Sequence, residues 1–134
     1  MPHISKRRLG KKAEKELIRN FELVLAKISK ETEMQDFLGS LLTPTERIML
    51  AKRLAIVVLL KEDVPQTSIS NALNVTQATV SRMQLFLEAR GEGYNIAFKK
   101  LANEEAVVEF KKYLLKIATY SIRAAGGYVK PQIM

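Results

Sequence analysis

Gln66, Thr67 and Asn71, followed by Thr76, Gln77, Ala78, Thr79, Ser81 and Arg82, gather amides, hydroxyls and a guanidinium in one short stretch of the chain. Amides and hydroxyls donate to and accept from base edges, and a guanidinium pairs with phosphate or guanine, so this chemistry suits duplex DNA. Positioning these groups takes two short crossed helices. In QTSISNALNVTQATVSRMQLFL, residues 66–87, Ile69, Leu73, Val75, Val80 and Met83 recur where such helices meet, and small Ser70 falls at their close approach. Asn74 falls in the turn, which needs positive φ, a conformation Asn tolerates second only to Gly. Thr76 is placed to cap the second helix. The spacing predicts a helix-turn-helix whose Gln77, Ala78, Thr79, Ser81, Arg82 and Gln84 face a major groove. Any two amphipathic helices joined by an asparagine turn meet the same packing demand. The outer face decides between these readings: a helix kept for stability alone shows Glu, Lys and Ala to solvent, not Thr, Gln, Ser and Arg.

The composition supplies no second chemistry. The 134 residues are 47% hydrophobic and 27% charged, the balance of one globular domain. There is no cysteine and a single histidine, His3, so neither a thiolate, a disulfide nor a metal site is expected. No Ser, Lys or Glu stands at active-site spacing, and an enzyme is not expected. The longest apolar run, Leu54 to Leu60, is too short to span a bilayer, and no signal-peptide core follows the basic N-terminus. The expected location is cytoplasmic, at the nucleoid. Of the net charge of +8, residues 1–30 carry +6. Lys6, Arg7, Arg8, Lys11, Lys12, Lys15 and Arg19 form a basic arm that follows phosphates or enters a minor groove, or else a solvated tail; a charge run alone does not separate the two.

Apolar residues recur at helical spacing almost throughout, which predicts an all-α chain. A first helix over about residues 10–30 places Leu17, Ile18, Phe21, Val24, Leu25 and Ile28 on one stripe. A short segment from Glu33 to Leu38 is expected to end at Gly39. Thr43 as N-cap, Pro44 at the first helical position and Glu46 three residues past the cap form a capping box. The helix that follows is apolar around most of its circumference from Ile48 to Leu60 and is expected to be buried on several sides. Glu62 to Pro65 break it. GEGY after Arg90 reads as a flexible glycine turn before a segment from Asn95 to Leu101. A last helix runs from Asn103, its expected cap, to about Ala125, with Gly126 and Gly127 as its stop. Its apolar stripe of Val107, Phe110, Leu114, Ile117 and Ser121 is widened by Val108, Leu115 and Ile122. Such broad faces on the first and last helices predict an intertwined homodimer. The expected organisation is a basic arm over residues 1–12, one helical domain over 13–125 and a tail over 126–134.

The stretch LLTPTERIMLAKRLAIVVLLKEDVPQTSISNALNVTQATVSR, residues 41–82, resembles the Trp repressor family. Leu42-Thr43-Pro44, Glu46-Arg47, Arg53, Gln66, Ala78-Thr79 and Arg82 carry the likeness in order. The continuation through Phe86-Leu87, Gly91-Glu92-Gly93-Tyr94 and Leu101 is similar to the YerC/YecD-type Trp repressor-like branch. The resemblance implies an all-helical, intertwined homodimer with two recognition helices on a near-palindromic operator, its half-sites roughly 34 Å apart. It also implies an effector site for tryptophan in which Arg53 and Arg82 flank the indole, Thr43 and an arginine hold the carboxylate, Thr79 lines the pocket and the carbonyls of Ser40 to Leu42 hold the ammonium. Met83 and Phe86 stand where the family has small residues, and overlap with an indole there is costly. On that ground no cofactor is expected; tryptophan or another small effector stays open as an alternative to Arg53 and Arg82 holding acidic side chains or phosphates. Two classes follow: a sequence-specific transcription regulator, a repressor, or a sequence-tolerant nucleic-acid or nucleoprotein adaptor on the same fold.

Overall fold

The computed structural model describes residues 9–124, with side chains to residue 120. The described residues form seven helices and no strand, as the periodicity predicts: α1 (Lys11–Lys27), α2 (Glu31–Leu41), α3 (Pro44–Lys61), α4 (Gln66–Leu73), α5 (Gln77–Arg90), α6 (Glu92–Leu101) and α7 (Glu105–Ala124). No helix among them is long and apolar enough to cross a membrane. The chain divides into two compact units, Met1–Arg47 and Ile48–Met134. His3, Lys6, Arg7, Arg8 and the expected stop and tail at 126–134 lie outside the described residues.

In the first unit α1 starts at Lys11, so Lys11 and Lys12, assigned to the arm by charge, are the first helical residues. The capping box forms at the start of α3: the Thr43 amide donates to Glu46 Oε1 at 2.8 Å, and the Glu46 amide donates to Thr43 Oγ1 at 3.1 Å. Hydrogen bonds from the Thr43 backbone and then from its side chain to the Glu46 carboxylate favour the ionised form and hold that carboxyl below its usual pKa. The α2 helix is longer than expected. It passes through Gly39 and stops after Leu41, with the Leu42 amide on the Leu38 carbonyl at 2.9 Å. A lone glycine costs a helix only about 1 kcal/mol against alanine. The firmer stop is Pro44, which disfavours helical backbone at Thr43 before it.

In the second unit α3 buries Ala55, Ile56, Val57, Val58 and Leu59. The expectation of burial from Ile48 onward fails in the first half, where Ile48, Met49, Leu50 and Leu54 are exposed. The helix ends by chain reversal: Asp63 takes φ 59°, and the Val64 amide reaches back to the Leu59 carbonyl at 3.1 Å. Ile56, Leu59, Ile69, Val80, Leu114 and Ala118 form the core, with half-buried Phe98 and Phe110 against it. The core thus draws on every helix from α3 to α7. α4 packs on both α5 and α7. Lys111 pairs with Glu62 at 2.7 Å, which ties α7 to the end of α3. Lys61 donates to Asn95 and lies 5.8 Å from the centre of the Phe98 ring, which ties α3 to α6.

The glycine turn after Arg90 is shorter than predicted. Gly91 alone joins α5 to α6, and Gly93 and Tyr94 are helical. A β-carbon at Gly91 would lie 2.2 Å from the Leu87 carbonyl oxygen, so only glycine fits this reversal. The last helix is capped one residue later than expected: the Val108 amide takes the Glu104 carbonyl at 3.0 Å, which puts Glu104 rather than Asn103 at the N-cap position.

Candidate nucleic-acid interface

The arrangement of α4 and α5 rests on two fully buried aliphatics, Ile69 and Val80, each 0% exposed. Leu73, Val75 and Met83 pack half-buried around the same cluster. All five apolar positions expected where the helices meet are therefore in the core. The turn between them is Asn74, in left-handed conformation at φ 53° and ψ 54°. The Val75 amide closes it on the Ser70 carbonyl at 3.1 Å, and the Ser70 hydroxyl donates to the Val75 carbonyl at 2.5 Å. Ser70 is thus a clamp on the turn as well as a small residue. Lys52 donates to the Asn74 carbonyl at 3.3 Å. Nothing in the local pattern of the motif points to this cation, which comes from 22 residues away on α3.

Thr76 opens α5 in extended conformation, and its Oγ1 accepts the Thr79 amide at 3.1 Å. The two threonine hydroxyls lie 2.9 Å apart, so Thr79 is engaged with the cap as well as with its own helix. Gln77, Ala78, Ser81 and Arg82 are exposed, and Thr79 is half-buried. On α4, Thr67 and Asn71 are exposed and Gln66 is half-buried. Gln84 departs from its expected outward position: it is half-buried and accepts a hydrogen bond from the Gln66 amide. Gln66 in turn accepts from the Ser81 hydroxyl at 2.7 Å. The polar pattern marked Gln84 as outward because it cannot tell a residue turned to solvent from one turned to a neighbouring helix.

The residues expected around an effector are distributed as follows. Thr43, in the first unit, has its hydroxyl and amide in the capping box. In the second unit Arg53 and Arg82 are exposed on α3 and α5. Met83 packs against the core, whereas Phe86 is 58% exposed. No group of three or more His, Cys, Asp or Glu among the described residues is placed to hold a metal ion.

A capped helix seated on a left-handed asparagine turn, pinned by one buried aliphatic from each arm and polar on its outer face, is a helix-turn-helix. The family model described as Trp repressor protein matches residues 16–102, from within α1 to just past α6. The chain belongs to the Trp repressor family, a family of helix-turn-helix DNA-binding regulators. No curated protein and no solved structure matches it.

Proposed function

We propose that the protein is a sequence-specific transcription regulator, a repressor, that binds a near-palindromic operator as a homodimer. The carrying observation is the outer face of α5: Gln77, Ala78, Ser81 and Arg82 are exposed on a helix whose opposite side is fixed by buried Val80. A rigid helix with polar groups outward has the form that enters a major groove. In this reading Gln77, Ala78, Thr79 and Ser81 meet base edges. Gln66, Thr67, Asn71 and Arg82 hold phosphates, and the bare amides that follow Thr76 at the start of α5 favour an anion. The basic arm of Lys6, Arg7, Arg8, Lys11, Lys12, Lys15 and Arg19 adds phosphate contacts that raise affinity without reading sequence. The protein acts on cytoplasmic, nucleoid DNA, has no catalytic role and falls in the YerC/YecD-type branch of the family.

The dimer is supported by apolar surface. α1 buries no residue and exposes Leu17, Ile18, Phe21, Leu23 and Val24, a set that a second copy of the chain would cover. Tryptophan is not assigned as effector, because by the resemblance Met83 and Phe86 stand where the family has small residues.

Selection of bound sites from random duplex DNA, with and without tryptophan, tests the reading. A gapped palindrome is expected in both arms of the experiment. Recovery only with tryptophan would restore the amino acid as effector. Arg82→Ala and Thr79→Ala are then compared on selected and scrambled duplexes. Thr79→Ala is expected to lower the specificity ratio, at about 1–3 kcal/mol for a lost base contact. Equal weakening on both duplexes by both variants would replace the regulator with a sequence-tolerant adaptor.

A further inference from the structure

A chain of four polar side chains crosses from the outer face of α5 to its far end. The Ser81 hydroxyl donates to Gln66 Oε1 at 2.7 Å, Gln66 Nε2 donates to Gln84 Oε1, and Gln84 Nε2 donates to Glu88 Oε1 at 3.3 Å. Each amide has one end that only donates and one that only accepts, so a neighbour of fixed polarity fixes the amide. An ionised carboxylate only accepts. Glu88 therefore draws the Gln84 NH₂ toward itself, which leaves the Gln84 oxygen for Gln66. That turns the Gln66 NH₂ toward Gln84 and its oxygen toward Ser81. The one proton of the Ser81 hydroxyl is then committed to Gln66, and Ser81 shows only lone pairs to anything that approaches from outside.

We infer that Glu88, acting through Gln84 and Gln66, makes Ser81 an acceptor-only reader of DNA, selective for a base that presents an amino group. The inference rests on the regulator reading above and names what one of its residues reads. In the major groove the exocyclic amines are adenine N6 and cytosine N4, whereas guanine and thymine present the O6 and O4 carbonyls. A serine free to turn its proton either way accepts from the first pair and donates to the second, and so discriminates little. A serine whose proton is held accepts only, and a keto base leaves two acceptors face to face. Glu88 and Gln84 are positioning residues here. They touch no base, and their effect on specificity comes through Ser81.

Selection from a randomised duplex pool with the full chain tests this. Wild-type protein is expected to prefer A or C over G or T about fivefold at one position of each half-site, the scale of one net hydrogen bond. Ser81→Ala abolishes that preference. Glu88→Gln supplies a side chain that can donate as well as accept, so the enforced polarity is lost. Gln84→Met breaks the chain at nearly constant volume. Each of these two is expected to bring the preference close to one at that position and leave the other positions unchanged. Retention of the preference in both, with its loss in Ser81→Ala, would overturn the inference. So would a weakening in Glu88→Gln that is equal at every position, because a purely structural role acts that way. A DNA-free readout separates this inference from the reading beneath it. The side-chain amide NMR resonances of Gln66 in the free protein are expected to move in Glu88→Gln as well as in Ser81→Ala. Unmoved Gln66 resonances in Glu88→Gln beside an enriched wild-type motif would overturn the relay alone. Absence of any enriched sequence with wild type would overturn the regulator reading, and the role of Ser81 with it.

Discussion

The α4–α5 pair and α1 both carry apolar residues at helical spacing, yet they meet opposite fates. In the pair, Ile69 and Val80 lose all solvent exposure, and three further apolar residues settle around them. In α1 no residue is buried, and Leu17, at 58% exposure, leads five large apolar side chains left in water. A stripe of apolar residues sets which face of a helix seeks a partner, but not whether the partner lies in the same chain. The contact between α4 and α5 is covered within its own unit, while Leu85 and Phe86 toward the far end of α5 stay exposed. The α1 face stays exposed.

The largest expected effect tests this contrast. Ile69→Ala should lower stability by about 2–5 kcal/mol in denaturant melts, because it opens a cavity in a closed core. Under the proposed homodimer, Phe21→Ser in α1 should show instead as a loss of dimer mass in light scattering. A Phe21→Ser protein as unstable as Ile69→Ala yet unchanged in mass would erase the distinction. A smaller effect sharpens it. Asn74→Ala should cost about 1–2 kcal/mol, the strain of left-handed backbone in a residue without the local bonding of Asn, and Asn74→Gly should cost little. Equal losses for the two would mean that the asparagine side chain, not its φ, holds the turn.

The smallest effect belongs to the first unit and concerns pH. The Glu46 carboxyl is held below its ordinary pKa by bonds from Thr43, so it binds its proton more weakly folded than unfolded. The stability it contributes is complete above the unfolded carboxylate pKa and is lost as pH falls through the lower folded value. Hydrogen exchange at the Thr43 and Glu46 amides should accelerate, beyond the intrinsic rate, over that acid range in wild type. In Glu46→Gln the acid-linked change at these amides should be absent. The Val80 amide, inside the helix-turn-helix, should show no such step.

The parts of the fold legible in the sequence are those where one residue type answers one local demand. Asn74 answers the need for positive φ, Thr76 the need for a cap, and Thr43 with Glu46 the need for a reciprocal cap, and the structure shows all of these. On α5 the exposure of Gln77, Ala78, Ser81 and Arg82 follows the pattern for the same reason, whereas Gln84 does not. Glycine was the poorer guide. Gly39 and Gly93 sit inside helices as modest local costs, whereas Gly91 answers a contact with the Leu87 carbonyl that no pattern displays. The burial of α3 was overestimated in its first half, since hydrophobicity alone does not say how much surface the neighbours can cover. What joins distant residues stayed hidden. Lys52 on the Asn74 carbonyl, and the inward turn of Gln84, depend on which helices lie side by side.

The seat of α4 on α7 carries a consequence for how the molecule is made. The ribosome releases α4 and α5 first, but Leu114 and Ala118, which complete their shared core, lie well beyond Arg90, where α5 ends. Until then Ile69 has no full cover, and the nascent motif holds the helices without the platform that orients them. The last helix to be made is therefore the one that completes the seat of the helix-turn-helix.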